Sequence, residues 1–142
     1  MDRHTERKHG FCLVFSLGFK LQDDPHFLDD YLEHQEIKLT TKNKAFIEKL
    51  YIGTVQKIAD IDRILLQNLK NWSLDRLNKV DLAILRLAIF EMYFFDTPKK
   101  VVINEAVELA KVYSSDEAPS FINGILAGLI NDEALMATEQ LP

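Results

Sequence analysis

The sequence predicts an all-α protein, on three observations. Apolar residues recur at three-four spacing along most of the chain, and no segment alternates with the period of two that a strand requires. Five Gly and four Pro are present, and they fall mostly between the periodic segments. One stretch, Leu82 to Phe95, is apolar nearly all the way round, carrying only Arg86 and Glu91 as charged residues. Such a helix has to be packed on every side, so it belongs at the centre of the molecule.

The elements follow in order. A first helix is expected from about His4 to Lys20, with Phe11, Val14, Phe15 and Gly18 on its apolar face. Pro25 opens a short second helix, with Asp24 as its cap. Thr40 or Thr41 opens a long one, whose core face begins with Phe46, Leu50, Gly53 and Val55. After a break near Asp60, "DIDRILLQNL" forms a further short helix, and Ser73 is placed to cap the next. The central segment "VDLAILRLAIFEMYFF" follows. Thr97 as cap and Pro98 in the first turn then restart the chain into "VVINEAVELAKVY". Ser114 to Pro119 is a linker, and a last helix runs from about Ser120 to Asn131 or beyond. In its "FINGILAG", Gly124 and Gly128 lie four apart and mark a close crossing, with Asn123 satisfying backbone groups there. No internal repeat or low-complexity tract appears.

Length and composition bound the function. The 142 residues make one ordinary domain or two small tightly packed ones, and 47% hydrophobic content supports a sizeable core. Cys12 is the single cysteine, which rules out an internal disulfide and fits a cytoplasmic location. No apolar run of about eighteen residues and no signal-peptide core is present, so no membrane association is expected. The net charge of −5 alone argues against nucleic acid, but it is unevenly spread. Residues 38–111 hold 13 bases against 9 acids, whereas residues 22–36 contain neither Lys nor Arg and no base follows Lys111. A cationic face therefore stays open.

No catalytic set emerges. His4, His9, His26 and His34 form no helical pair at spacing four, and one cysteine cannot build a zinc site. Neither a phosphate-cradling GxxxxGK loop nor a strand–Ser–helix elbow occurs. Asp23-Asp24 and Asp29-Asp30 read as a solvated acidic face. Arg86 and Glu91 lie about 140° apart round their helix, so they cannot pair with each other. Buried charges need partners, and the neighbouring Asn104, Glu105 and Glu108 are the expected ones. The N-terminal "RHTERKHG" has two readings: an ordinary charged terminus, or a basic arm that follows phosphates. Tyr113 and Phe121 likewise read as stacking platforms for unpaired bases or as a hydrophobic lock between the last two helices.

The segment "LNKVDLAILRLAIFEMYFFDTPKKVVINEAVELAKVYSSDEAPSFINGILAGL", Leu77 to Leu129, resembles the transcription antitermination family NusB. Most specific is "PKKVVINEAVELAK", followed about ten residues later by "FINGIL". The arm and "FCLVFSLGF" extend the likeness more weakly to the N-terminal half. The resemblance implies an all-α, NusB-like bundle of about seven helices in two packed halves, a single domain over 1–142 divided into 1–70 and 71–142. It implies no catalysis and no cofactor. It implies binding of boxA-type RNA together with NusE, the small-subunit ribosomal protein, within an RNA polymerase antitermination complex. The RNA surface it implies joins Arg3, Arg7, Lys8 and His9 of the arm to Tyr113 and Phe121, with Glu117 accepting from a base amino group. Asp81 falls at an acidic partner contact, and Arg86, Glu91, Asn104, Glu105 and Asn123 are read as a structural polar network. Glu6 and Gly10 interrupt what is often a dense Arg run, and Gly18-Phe19 stands where a Tyr is often found. RNA binding by this chain alone is therefore expected to be weak, with the partner supplying further contacts. The runner-up is a helical adaptor that binds the ribosomal protein, or another partner, with little RNA contact. An RNA-modifying enzyme carrying a NusB-like domain is discounted, since no Gly-rich cofactor-binding segment follows. A homodimer that buries Tyr113 or Phe121 is also compatible with the aromatic-rich surface.

Overall fold

The computed structural model describes residues 2–17, 26–35, 38–69 and 74–139. Gly18, Phe19, Asp24, Pro25, Ser73 and the expected boundary at 70/71 lie outside the described residues. Among those described, the chain forms seven α-helices, a 3-10 turn at Leu74–Arg76 and no strand. The helices are α1 (Arg3–Ser16), α2 (Phe27–Glu33), α3 (Thr41–Gln56), α4 (Ile58–Gln67), α5 (Lys79–Phe94), α6 (Lys99–Tyr113) and α7 (Ala118–Glu139).

Helix starts follow local side-chain chemistry. Asp2 caps α1 by accepting from the Thr5 amide at 2.9 Å. Thr40 caps α3 in a reciprocal box, in which its hydroxyl accepts from the Asn43 amide at 3.1 Å and Asn43 Oδ1 accepts from the Thr40 amide at 3.1 Å. Asn78 caps α5, accepting from the Asp81 amide at 2.7 Å. At α6 the expected Thr97 cap gives way to Pro98, which occupies the cap position and offers only its carbonyl, accepting from the Val101 amide at 3.0 Å. The α3–α4 break falls at Lys57 rather than near Asp60, because Ile58, Ile61 and Leu65 set one apolar stripe that already belongs to α4.

Packing explains the composition of α5. It contacts α1, α3, α4, α6 and α7, and Ile84, Leu85 and Ile89 are sealed from solvent. Truncating one of these to Ala costs about 2–5 kcal/mol. On α3 the core face is Ile47, Leu50, Tyr51 and Thr54, so Val55, expected inside, turns outward one position further round. The expected close crossing at Gly124 and Gly128 is also corrected. A Cβ on Gly124 meets nothing within 4 Å, and one on Gly128 comes only to 4.0 Å from Asn68 Oδ1. The close approaches are instead at Gly53, where a Cβ would lie 2.0 Å from Phe90 Cζ, and at Gly10, 3.1 Å from Leu50 Cδ1.

Candidate nucleic-acid interface

The N-terminal arm is the first two turns of α1, so its basic residues point to different sides. Arg7 faces α5. Its Nε donates to Glu91 Oε1 and its Nη2 to Glu91 Oε2, each at 2.8 Å, with Arg7 7% and Glu91 2% exposed. Glu91 holds the guanidinium's pKa above its usual range, against the opposing effect of burial. Arg7 is thus an internal tie between α1 and α5, not a phosphate ligand. His9 is buried too and shares a 2.9 Å hydrogen bond with the Tyr31 hydroxyl. Burial first, and Lys8 second, hold its pKa below the ordinary value, so at neutral pH it brings no positive charge to an RNA. Arg3 is more open, but its guanidinium lies 3.7 Å over the Phe46 ring and pairs with Glu6 at 3.2 Å. Of the expected arm cations only Lys8 is left at the rim, part-exposed and without an ion pair among the described residues.

Next to Lys8 the structure gathers aromatic groups from three helices. The Tyr113 ring, 41% exposed at the end of α6, lies 5.1 Å from the buried Phe11 ring at 36°. Burial pushes the Cys12 thiol up, while the Tyr31 hydroxyl and Lys8 pull it back. Burial likewise raises the Tyr31 phenol, with Cys12 and Tyr113 adding to the effect. Tyr31 has no signal in the sequence, since nothing in its short α2 segment marks it as a neighbour of α1. Phe121 is half-buried against the core, closer to a lock between helices than to an open platform. Glu117 is exposed on the linker turn. The rim therefore offers one ammonium, one half-open phenol ring and a nearby carboxylate: a phosphate contact, a stacking face and an acceptor for an amino group.

Asp81 braces this rim from within. It is 6% exposed; Oδ1 accepts from the Ser114 hydroxyl and Oδ2 from Asn78 Nδ2 at 3.1 Å. With both oxygens engaged inside the chain, it is not the open acidic contact expected of it. Instead it fixes Ser114, the residue after Tyr113, to the first turn of α5.

The expected polar network is corrected as well. Arg86 pairs bidentately with Asp62 of α4, at 2.9 Å for both Nε and Nη2, and Glu91 pairs with Arg7. None of the α6 candidates serves them. Val102, Ile103, Ala106, Leu109 and Ala110 form the inner face of α6, which leaves Asn104, Glu105 and Glu108 toward the outside. Asn104 is exposed, Glu105 meets His4 Nδ1 at 2.6 Å, and Glu108 pairs with Lys111 at 3.1 Å. Asn123 is exposed rather than buried at a crossing. No buried side-chain nitrogen or oxygen among the described residues lacks a hydrogen-bond partner, so the helix interfaces are electrostatically complete. No described helix is long and apolar enough to cross a membrane.

Comparison with known proteins points one way. The model of the NusB family matches residues 4–131. The transcription antitermination protein NusB of Clostridium novyi is 37% identical over 131 residues, covering 92% of this chain and 98% of that protein. The structure of T. maritima NusB matches with a TM-score of 0.81 at 32% identity, over 91% of this chain and 90% of that one. A structure of the antitermination factors NusB and NusE in complex with double-stranded RNA shares the fold, with a TM-score of 0.76 at 24% identity over 93% and 99% of the two chains.

Proposed function

This chain belongs to the NusB family, and we propose that it is a transcription antitermination factor that binds boxA-type RNA together with the ribosomal protein NusE, within an antitermination complex on RNA polymerase. The observation that carries this reading is the family match over residues 4–131, nearly the whole described chain. The role is one of binding and assembly and asks for no catalytic step. The RNA contact falls to Lys8, Tyr113 and Glu117. Arg7, Glu91, Asp81 and Ser114 hold that rim in place. A rim with so few free cations gives little phosphate-led affinity by itself, so a second RNA-binding surface on NusE is needed to reach a stable complex.

A second reading, an adaptor that grips NusE with little RNA contact, is favoured by one observation: two of the four expected arm ligands, Arg7 and His9, are internal. Retention of a boxA-type RNA on immobilised chain, with and without NusE, separates the two. The primary reading expects strong retention only with both proteins, and a weakening by about 1–3 kcal/mol in Tyr113→Ala, which removes one stacking ring. If NusE is captured while the RNA is held no better than by NusE alone, the adaptor reading takes its place.

A further inference from the structure

The α3 and α5 helices leave a groove of ≈ 520 Å³, lined by none of Lys8, Tyr113 and Glu117, floored by Gly53 and Phe90 and walled by Ile52, Phe94, Lys49 and Lys57. Gly53 makes it possible: without a side chain there, the Phe90 ring lies against the α3 backbone. Ile52 is 40% and Phe94 43% exposed. These residues form an apolar patch on adjoining helices rather than scattered single exposures.

The aromatic rings here are ordered in a chain. Phe46 meets Phe95 at 5.8 Å, Phe95 meets Phe90 at 5.5 Å, and Phe90 stacks on Phe94 at 5.3 Å. Cations cover their outer faces: Arg3 over Phe46 at 3.7 Å, Lys49 over Phe95 at 4.6 Å and Lys57 over Phe94 at 5.4 Å. With those faces taken, the rings cannot serve as platforms for bases. What stays available is ring edges and the aliphatic Ile52, which suit aliphatic side chains. Lys49 and Lys57 have no carboxylate partner among the described residues. Glu48 is the one acid lining the groove, so the rim is net positive.

We propose that this groove is a docking site for an acidic amphipathic helix of a partner protein, whose apolar stripe enters between α3 and α5 while its carboxylates meet Lys49 and Lys57. The eight-position step from Lys49 to Lys57 spans about 12 Å of helix. The occupant therefore carries acids seven or eight positions apart, flanking an aliphatic anchor. The groove is separate from the RNA rim, so the proposal does not depend on RNA binding.

Isotope-labelled chain is titrated with a helical probe peptide bearing a Leu stripe at i, i+4 and i+7 and flanking Glu residues seven apart. The expected result is saturable amide shifts confined to residues 45–57 and 90–95. The double variant K49E/K57E should weaken binding at least tenfold, as should Ile52→Ser, an exposed position that leaves the fold intact. A peptide with Lys in place of Glu should not bind. Absence of shifts with the acidic probe overturns the proposal, as does equal binding of both peptides, which would be mere apolar adhesion. Shifts on this face with a single-stranded RNA instead of the peptide would assign it to nucleic acid, and shifts on simple concentration of the chain would assign it to self-association; either result also overturns it.

Discussion

Arg7 shows how far a residue's role departs from its type. In sequence it is one of two adjacent bases in a charged arm. In the fold it neutralises Glu91, a carboxylate that the central helix has carried into the core. Arg7→Ala would strand that carboxylate and cost about 3–5 kcal/mol, measured by urea unfolding. Replacing both partners by apolar residues of similar volume, Arg7→Met with Glu91→Leu, should restore stability to the wild-type value or above. The Arg86–Asp62 pair is less deeply buried, at 17% and 22% side-chain exposure, so Arg86→Ala should cost less than Arg7→Ala, about 1–3 kcal/mol in the same experiment. His9 gives a pH signature of known sign. Its folded-state pKa lies below the ordinary 6.5, so the unfolded chain binds more protons in the interval between the two values. Stability therefore rises with pH up to about 6.5 through this group and is flat in it above. His9→Gln should reduce the slope of stability against pH between about pH 5 and 7, seen as a smaller difference in unfolding midpoint.

At the scale of elements, the helices were legible and their contacts were not. The helix start at Thr40 and the burial of α5 follow from local chemistry: a capping side chain needs only its own first turn, and an all-apolar helix has no face to give to water. The partners of Arg7 and Arg86 lie 84 and 24 residues away, and no local pattern encodes them. Glycine spacing misled for the same reason. Gly124 and Gly128 have the spacing of a crossing, but the helices cross at Gly53, which has no such signature. This contrast is measurable. Gly53→Ala drives a methyl into Phe90 and should destabilise by about 1–3 kcal/mol. Gly124→Ala enters open space within a helix and should be neutral or stabilising by up to about 1 kcal/mol.

For the whole molecule, the family was legible because its most specific stretch, "PKKVVINEAVELAK" to "FINGIL", spells the helix pair α6 and α7 that frames the rim. The rim itself was legible only in part. Lys8, Tyr113 and Glu117 keep exposed or part-exposed side chains, as a binding surface requires, while Arg7, His9 and Asp81 turn inward and brace the surface they were expected to form. An acidic chain that binds RNA in this way relies on few cations, so each should be visible in the dependence of affinity on salt. The most direct measurement is the slope of log affinity against log salt for boxA-type RNA in the presence of NusE, for the wild type, Lys8→Ala and the folded pair Arg7→Met/Glu91→Leu. The account predicts a slope shallower by about 0.7 for Lys8→Ala, which neutralises one phosphate fewer, and an unchanged slope for the Arg7–Glu91 pair. A Lys8→Ala slope equal to the wild type, or a flattening in the Arg7–Glu91 pair, would contradict it.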